Sequence, residues 1–186
     1  MFGRWFGRAG PAVHDRVWRD AAACDQGLAA QIGLALDQGQ AVLLLLRSMV
    51  DLPVHAQALA ARRPQIADDG YAVSDLLTAL VQPGALGLSR TDVLRPVAPA
   101  QNSARRVPLE IHVRGRDARR SADDRLLDLL APFAPTTIVF HHALDDDLLR
   151  QHARQLEPML RALGMDPREA IESTLLTRAL QRAQRP

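Results

Sequence analysis

The order of apolar and polar positions divides this chain into helical and extended stretches. From Ala12 to about Gln38, Val17, Trp18, Ala21, Leu28, Ile32 and Leu36 recur at helical spacing, which predicts an Ala-rich helix with Gln26-Gly27 as its weak point. Gly39 stands where a helix C-cap would be. Ala41-Val-Leu-Leu-Leu-Leu46 follows as an unbroken apolar run, closed by Arg47-Ser48, and reads as a strand buried on both faces. Further strands are predicted at Tyr71 to Val73, Ala85 to Leu88, Leu109 to Val113 and Thr136 to Phe140. Helical stretches lie between them, at Val54 to Ala61, Ser74 to Val81 and Ala122 to Leu130.

Strands that alternate with helices imply crossover connections and a mostly parallel sheet. The expectation is an α/β domain of about five strands with helices on both faces, ending in two helices. The first of these starts at Asp145-Asp-Asp147, a favourable acidic N-terminus, and carries Leu148, Leu149, His152, Leu156, Met159, Leu160 and Leu163 on one face. The second is predicted to start at Asp166-Pro-Arg-Glu169, with Ile171, Leu175, Leu176, Ala179 and Leu180 as its stripe. Residues 13–186 form the single domain, and residues 1–12 an arm with Phe2, Trp5 and Phe6 beside Arg4 and Arg8. That arm reads as packing on its own domain, or as an interfacial anchor of rings and guanidinium groups at lipid headgroups.

Composition narrows the chemistry. Lysine is absent, so all 23 basic side chains are arginine. A P-loop and a Schiff-base enzyme both require lysine and are excluded. The formal net charge is only +2, and the pI near 9.4 reflects the arginines' refusal to titrate, not a polycation. Cys24 is the single cysteine, which excludes an internal disulfide and reads as buried and inert. No apolar run reaches transmembrane length, so the expected location is the cytoplasm, or peripheral on a membrane through the arm.

Candidate chemistry is sparse. His141 and His142 are adjacent on a strand end, point to opposite faces, and read as packing residues and not metal ligands. Ser89-Arg90-Thr91-Asp92 follows a strand, where open α/β sheets bind ligands. Arg105, Arg106, Arg114, Arg116, Arg119 and Arg120 fall within sixteen residues, a density suited to phosphate or RNA backbone, yet without the aromatic partners of single-strand binding. No nucleophile with a base, no metal set and no cofactor cradle is legible.

One segment resembles a known family. Phe140-His-His-Ala-Leu-Asp-Asp-Asp-Leu-Leu-Arg150, then Leu163-Gly-Met165, Glu169-Ala-Ile-Glu-Ser173, Thr177-Arg-Ala179 and Arg182-Ala-Gln184, is similar to the stretch that closes the second motor domain of SecA, the preprotein translocase ATPase. Gln38-Gly-Gln-Ala-Val-Leu-Leu44 resembles the strand opening that domain. Thr91-Asp92 resembles the end of its "GRGTDI" motif, and Arg119-Arg120 its paired arginines. The resemblance implies a RecA-like sheet. It departs at Asp124-Arg-Leu-Leu-Asp-Leu-Leu-Ala-Pro-Phe133, where the family carries arginine fingers and this chain has only Arg125. Arginine fingers act by placing charge on a transferring phosphoryl. The implied function is a catalytically degenerate SecA-like interaction or accessory module, without catalytic residues or cofactor, binding a protein partner or its own copies. Arg90, Thr91, Asp92, Arg114, Arg116, Arg119 and Arg120 are its candidate ligand or partner contacts, and Phe2, Arg4, Trp5, Phe6 and Arg8 its candidate membrane contacts. The alternative is a nucleotide- or RNA-binding domain that uses the arginine cluster.

Overall fold

The computed structural model describes residues 11–67, 78–96, 107–150 and 169–185, with Leu76, Ala153, Pro158 and Asp166. Seven strands form one sheet: β1 (Ala12–Trp18), β2 (Ala41–Leu46), β3 (Gln65–Ala67), β4 (Leu86–Arg90), β5 (Leu109–Arg114), β6 (Thr137–Ala143) and β7 (Ile171–Glu172). Their order across the sheet is β3-β4-β2-β5-β6-β1-β7. All neighbours run parallel except β7, which pairs antiparallel with β1. Among the described residues, the α-helices with defined bounds are α1 (Ala21–Asp37), α2 (Asp51–Ala58), α3 (Arg120–Leu130), α4 (Asp147–Arg150) and α5 (Thr174–Ala183). Seven described strands stand against the expected five because β1, β3 and β7 are not among those expected, while the strand expected at 71–73 lies outside the described residues.

Pleat alternation splits the core. Val42, Leu44 and Leu46 of β2 pack with Leu28, Ile32 and Leu36 of α1, and Leu52 and Ala56 of α2 lie against the same cluster. Leu43 and Leu45 face the other way, toward Leu76, Leu80, Phe133 and the α3 residues Leu126 and Leu130. Every residue of β2 is buried, which explains why its sequence shows no alternation. The connection after β2 therefore leaves over one face and the connection after β5 over the other. β2 and β5 are neighbours, so a crevice opens between their carboxyl ends, the switch point where open α/β sheets receive ligands.

Several expectations need correction. Residues 12–18 are a strand, not the start of a helix. β1 pairs residue for residue with β6, from Ala12 with Thr137 to Trp18 with Ala143. The helix begins only after Asp20, whose carboxylate accepts the Ala23 N–H at 2.8 Å as an N-cap. Gly27 does not break α1; it makes room for the Trp18 indole. The last helix begins at Thr174, because Ile171–Glu172 is extended beside β1. Arg16 holds the Glu172 carboxylate at 3.1 Å and His14 is also paired with it, which favours the extended form. Gly39 does sit just beyond α1, with φ of 77° and its N–H donated to Leu36 O, as a C-terminal glycine should. The predicted strand at 71–73 and most of the helix at 74–81 lie outside the described residues; helical Leu76, Thr78 and Ala79 are what is described of the latter.

Candidate functional site

The crevice between β2 and β5 is filled by the protein's own charges. Arg47, the first residue after β2, reaches across to β5, donating from Nε to Gly115 O at 2.9 Å and from Nη1 to Asp117 at 3.3 Å, while Nη2 pairs with Asp123. Arg116 lies beside it over the Phe140 ring, with 4.1 Å from its guanidinium carbon to the ring centroid. Its Nε and Nη2 grip both oxygens of Asp15 at 2.7 and 3.1 Å, and Nη1 donates to Asp123 at 3.2 Å. His142 Nε2 lies 3.2 Å from Asp15. Gln184, from the end of α5, donates to Asp123 at 2.7 Å and to Asp117 O at 2.8 Å. The Asp117 N–H completes the set at 3.0 Å from Asp123.

This network ties five separate parts of the chain together. Its inner side chains are dry, with Arg116 6% exposed, Asp123 1% and Asp15 0%, while Arg47 and Asp117 at its mouth are 21% and 36% exposed. Burial would raise the Asp15 carboxyl, but hydrogen bonds from His142 and Arg116, with their charge, hold it below the usual carboxylate range. Burial would lower Arg116, but Asp15 and Asp123 outweigh it and raise the guanidinium. Both groups therefore stay charged. An arginine grips phosphate with free guanidinium N–H donors. Here Arg47 and Arg116 direct theirs to internal carboxylates and a carbonyl.

Arg114 is spent in the same way on the other face. It holds Asp146 through two bonds of 2.8 and 3.1 Å and reaches Asp25 at 3.3 Å, with 12% of its side chain exposed. Burial opposes its charge, yet the bonds to Asp146 raise it above its ordinary value. Asp146, expected only as a helix-start acid, also accepts the Ala143 N–H at 2.8 Å. Arg90 at the end of β4 clasps Asp92 at 2.9 and 3.1 Å, and the Thr91 N–H is donated to Leu46 O. The Ser89-to-Asp92 segment thus makes a turn anchored to β2. Arg119 and Arg120 are exposed at the start of α3. The arginine cluster is therefore divided between internal pairs and surface. Arg105 and Arg106 lie outside the described residues, as do His152 and the arm contacts Phe2, Arg4, Trp5, Phe6 and Arg8.

The adjacent histidines do face opposite ways. His142 joins Asp15, and His141 contacts Trp18 and His112. Cys24 is fully buried, and burial pushes its thiol up to about 12, consistent with an inert packing residue. Among the described residues, no group of His, Cys, Asp and Glu is placed to hold a metal ion, and no helix is long and apolar enough to cross a membrane. Beside the filled crevice, the loop after Arg47 presents Met49 and Val50, 67% and 74% exposed, with Val54 of α2 at 57%.

Sequence reasoning missed Asp15, Arg47, Asp123 and Gln184. Arg47 carried a usable signal, as the first polar residue after an all-apolar central strand. The other three carried none: Asp15 and Gln184 have partners 61 to 127 residues away, and Asp123, although it lies near Arg116 and Asp117, is also bound by Arg47 and Gln184, 76 and 61 residues away.

No protein-family model matches this chain, and no curated protein does. Among solved structures, it is similar to the C-terminal domain of a possible DNA helicase from Lactobacillus plantarum WCFS1, at 11% identity and a TM-score of 0.40, covering 73% of this chain and 74% of that one. The resemblance to SecA gains no support from these comparisons.

Proposed function

We propose that this chain is a protein-interaction or accessory module on a nucleotide-domain-like sheet, a degenerate relative of the SecA second motor domain without ATPase activity of its own. The observation that carries the reading is the Arg47–Asp123–Arg116–Asp15 network. It occupies the crevice where such a sheet would accept a ligand and commits the guanidinium groups that would meet a phosphate. The exposed apolar side chains Met49, Val50 and Val54 beside it supply contact area suited to a protein surface. A link to protein translocation rests on the sequence resemblance alone.

The reading is tested by incubating the purified chain with millimolar Mg-ATP. No phosphate release above the buffer blank is expected. Turnover that persists through purification and is lost on Arg116→Met would overturn it. A photocrosslinker at Val50, introduced in the native cell, should give discrete protein adducts that the same group at exposed Asp124 does not give.

A further inference from the structure

Beneath the junction of β1 and α1, two buried histidines form a relay whose proton positions are fixed by their neighbours. The Trp18 indole N–H can only donate, and its Nε1 lies 3.3 Å from His141 Nδ1. His141 Nδ1 must therefore be the accepting nitrogen, which places the His141 proton on Nε2. That nitrogen lies 2.8 Å from His112 Nδ1 and donates to it. His112 in turn carries its proton on Nε2, which has no hydrogen-bond partner and faces Glu110 Oε1 at 3.5 Å. Both imidazoles are fully buried and the Trp18 and His141 rings are stacked, 6.3 Å apart with 18° between planes.

Every accepting nitrogen of the pair is already in use. A proton added to His141 Nδ1 would face the Trp18 N–H, and one added to His112 Nδ1 would face the His141 N–H. Either event sets donor against donor in a dry site and breaks a link of the chain. The surrounding charges mostly oppose a further cation. From β1, Arg16 and His14 lie on this side; from β5, Arg114 and the Glu110 carboxyl; from α1, Cys24 and Asp25; from the loop after β6, Asp146; from β7, Glu172. Asp25 and Asp146 are paired with Arg114, and Glu172 with Arg16 and His14. Glu110 is left as the facing acid, and its burial favours the neutral form. Burial, and then Arg16, lower His112 to about 3; burial, His112 and Arg16 also lower His141.

We propose that the Trp18–His141–His112 relay is an acid-released latch, holding the β1–α1 junction closed while both histidines are neutral and freeing residues Trp18 to Asp25 when one takes up a proton. Release is local because the junction lies toward one side of the sheet. β1 has only β6 and β7 as strand neighbours, so β3-β4-β2-β5-β6 keeps its own ladder. The second half of α1 stays packed on β2 through Leu28, Ile32 and Leu36. What the opening uncovers is Cys24, packed with Trp18 and Ala143.

The test uses the full-length chain carrying Trp5→Phe, so that Trp18 is the only indole. Its fluorescence, far-ultraviolet circular dichroism, and Cys24 modification by dithiodipyridine are followed from pH 8 to pH 3. The expected result is a cooperative red shift of Trp18 and at least a tenfold gain in Cys24 reactivity between about pH 6 and pH 3, with most of the dichroism retained. Nitrogen-15 spectra of the imidazoles at pH 7.5 should show both protons on Nε2. Loss of all signals together would overturn the proposal, as would unchanged Trp18 and Cys24 down to pH 3. So would imidazole spectra that place either proton on Nδ1.

Discussion

Replacing Gly27 with alanine sets helix propensity against packing, and the structure predicts the winner. At an open helical position, Gly→Ala stabilises by about 0.8–1 kcal/mol. A Cβ at Gly27, however, would overlap three carbons of the Trp18 six-membered ring. That ring cannot retreat, since Trp18 is 3% exposed, stacked on His141 and bonded to it through Nε1. Overpacking of a dense core costs roughly 1–3 kcal/mol, and a buried N–H pushed off its acceptor costs roughly 1–3 kcal/mol more. The net expectation is destabilisation by about 1–5 kcal/mol. In a chain of 186 residues this lowers Tm by roughly 2–4 °C per kcal/mol. Gly33 in the same helix is the internal control. A Cβ there meets only Arg62 Nη2, at an ordinary 3.6 Å, so Gly33→Ala should raise stability by up to about 1 kcal/mol. Urea unfolding followed by circular dichroism measures both. Adding Trp18→Phe, which removes the second ring, should recover at least about 1 kcal/mol of the Gly27→Ala loss beyond additivity. A stabilising Gly27→Ala, or one that adds to Trp18→Phe without coupling, would refute the packing reasoning.

Three further outcomes follow from the same geometry. Asp15→Ala should destabilise by roughly 1–3 kcal/mol in urea unfolding, because it leaves Nε and Nη2 of the buried Arg116 without acceptors while Asp123 still balances its charge, whereas joint replacement of Asp15 and Arg116 by apolar residues should cost clearly less. Stability should fall as pH drops below about 6.5, at up to about 1.4 kcal/mol per pH unit for each of His112 and His141, because the unfolded chain binds protons that folded His112 refuses until about pH 3; replacing His112 with glutamine should flatten that slope in denaturant titrations at stepped pH. Gly87→Ala should also destabilise, its Cβ falling 2.7 Å from Leu76 Cδ1 in the sheet core, as read by thermal denaturation.

The central sheet was legible because burial on both faces leaves a plain mark. Ala41–Leu46 was readable to the residue, and β4, β5 and β6 were placed with ends off by no more than three residues. β1 was not legible, for a physical reason. Its buried positions are Asp15, Val17 and Trp18, and the polar atoms of Asp15 and Trp18 are satisfied by Arg116 and His141 far along the chain, so no apolar alternation survives. The helical spacing through Val17, Trp18 and Ala21 is an accident of joining a strand end to a capped helix start. The arginine cluster was visible as composition but not as function. Charge density along a chain does not tell whether a guanidinium faces water, as Arg119 and Arg120 do, or an internal carboxylate, as Arg114 and Arg116 do.

Closure of the β2–β5 crevice is tested most directly by titrating Mg-ATP, and separately inorganic phosphate, into nitrogen-15-labelled protein and following the amides of Arg47, Gly115, Arg116 and Asp117. With these groups committed to Asp15, Asp117 and Asp123, no saturable shift is expected at millimolar ligand. Saturable shifts centred on those four amides, abolished by Arg116→Met, would contradict a crevice sealed by its own charges.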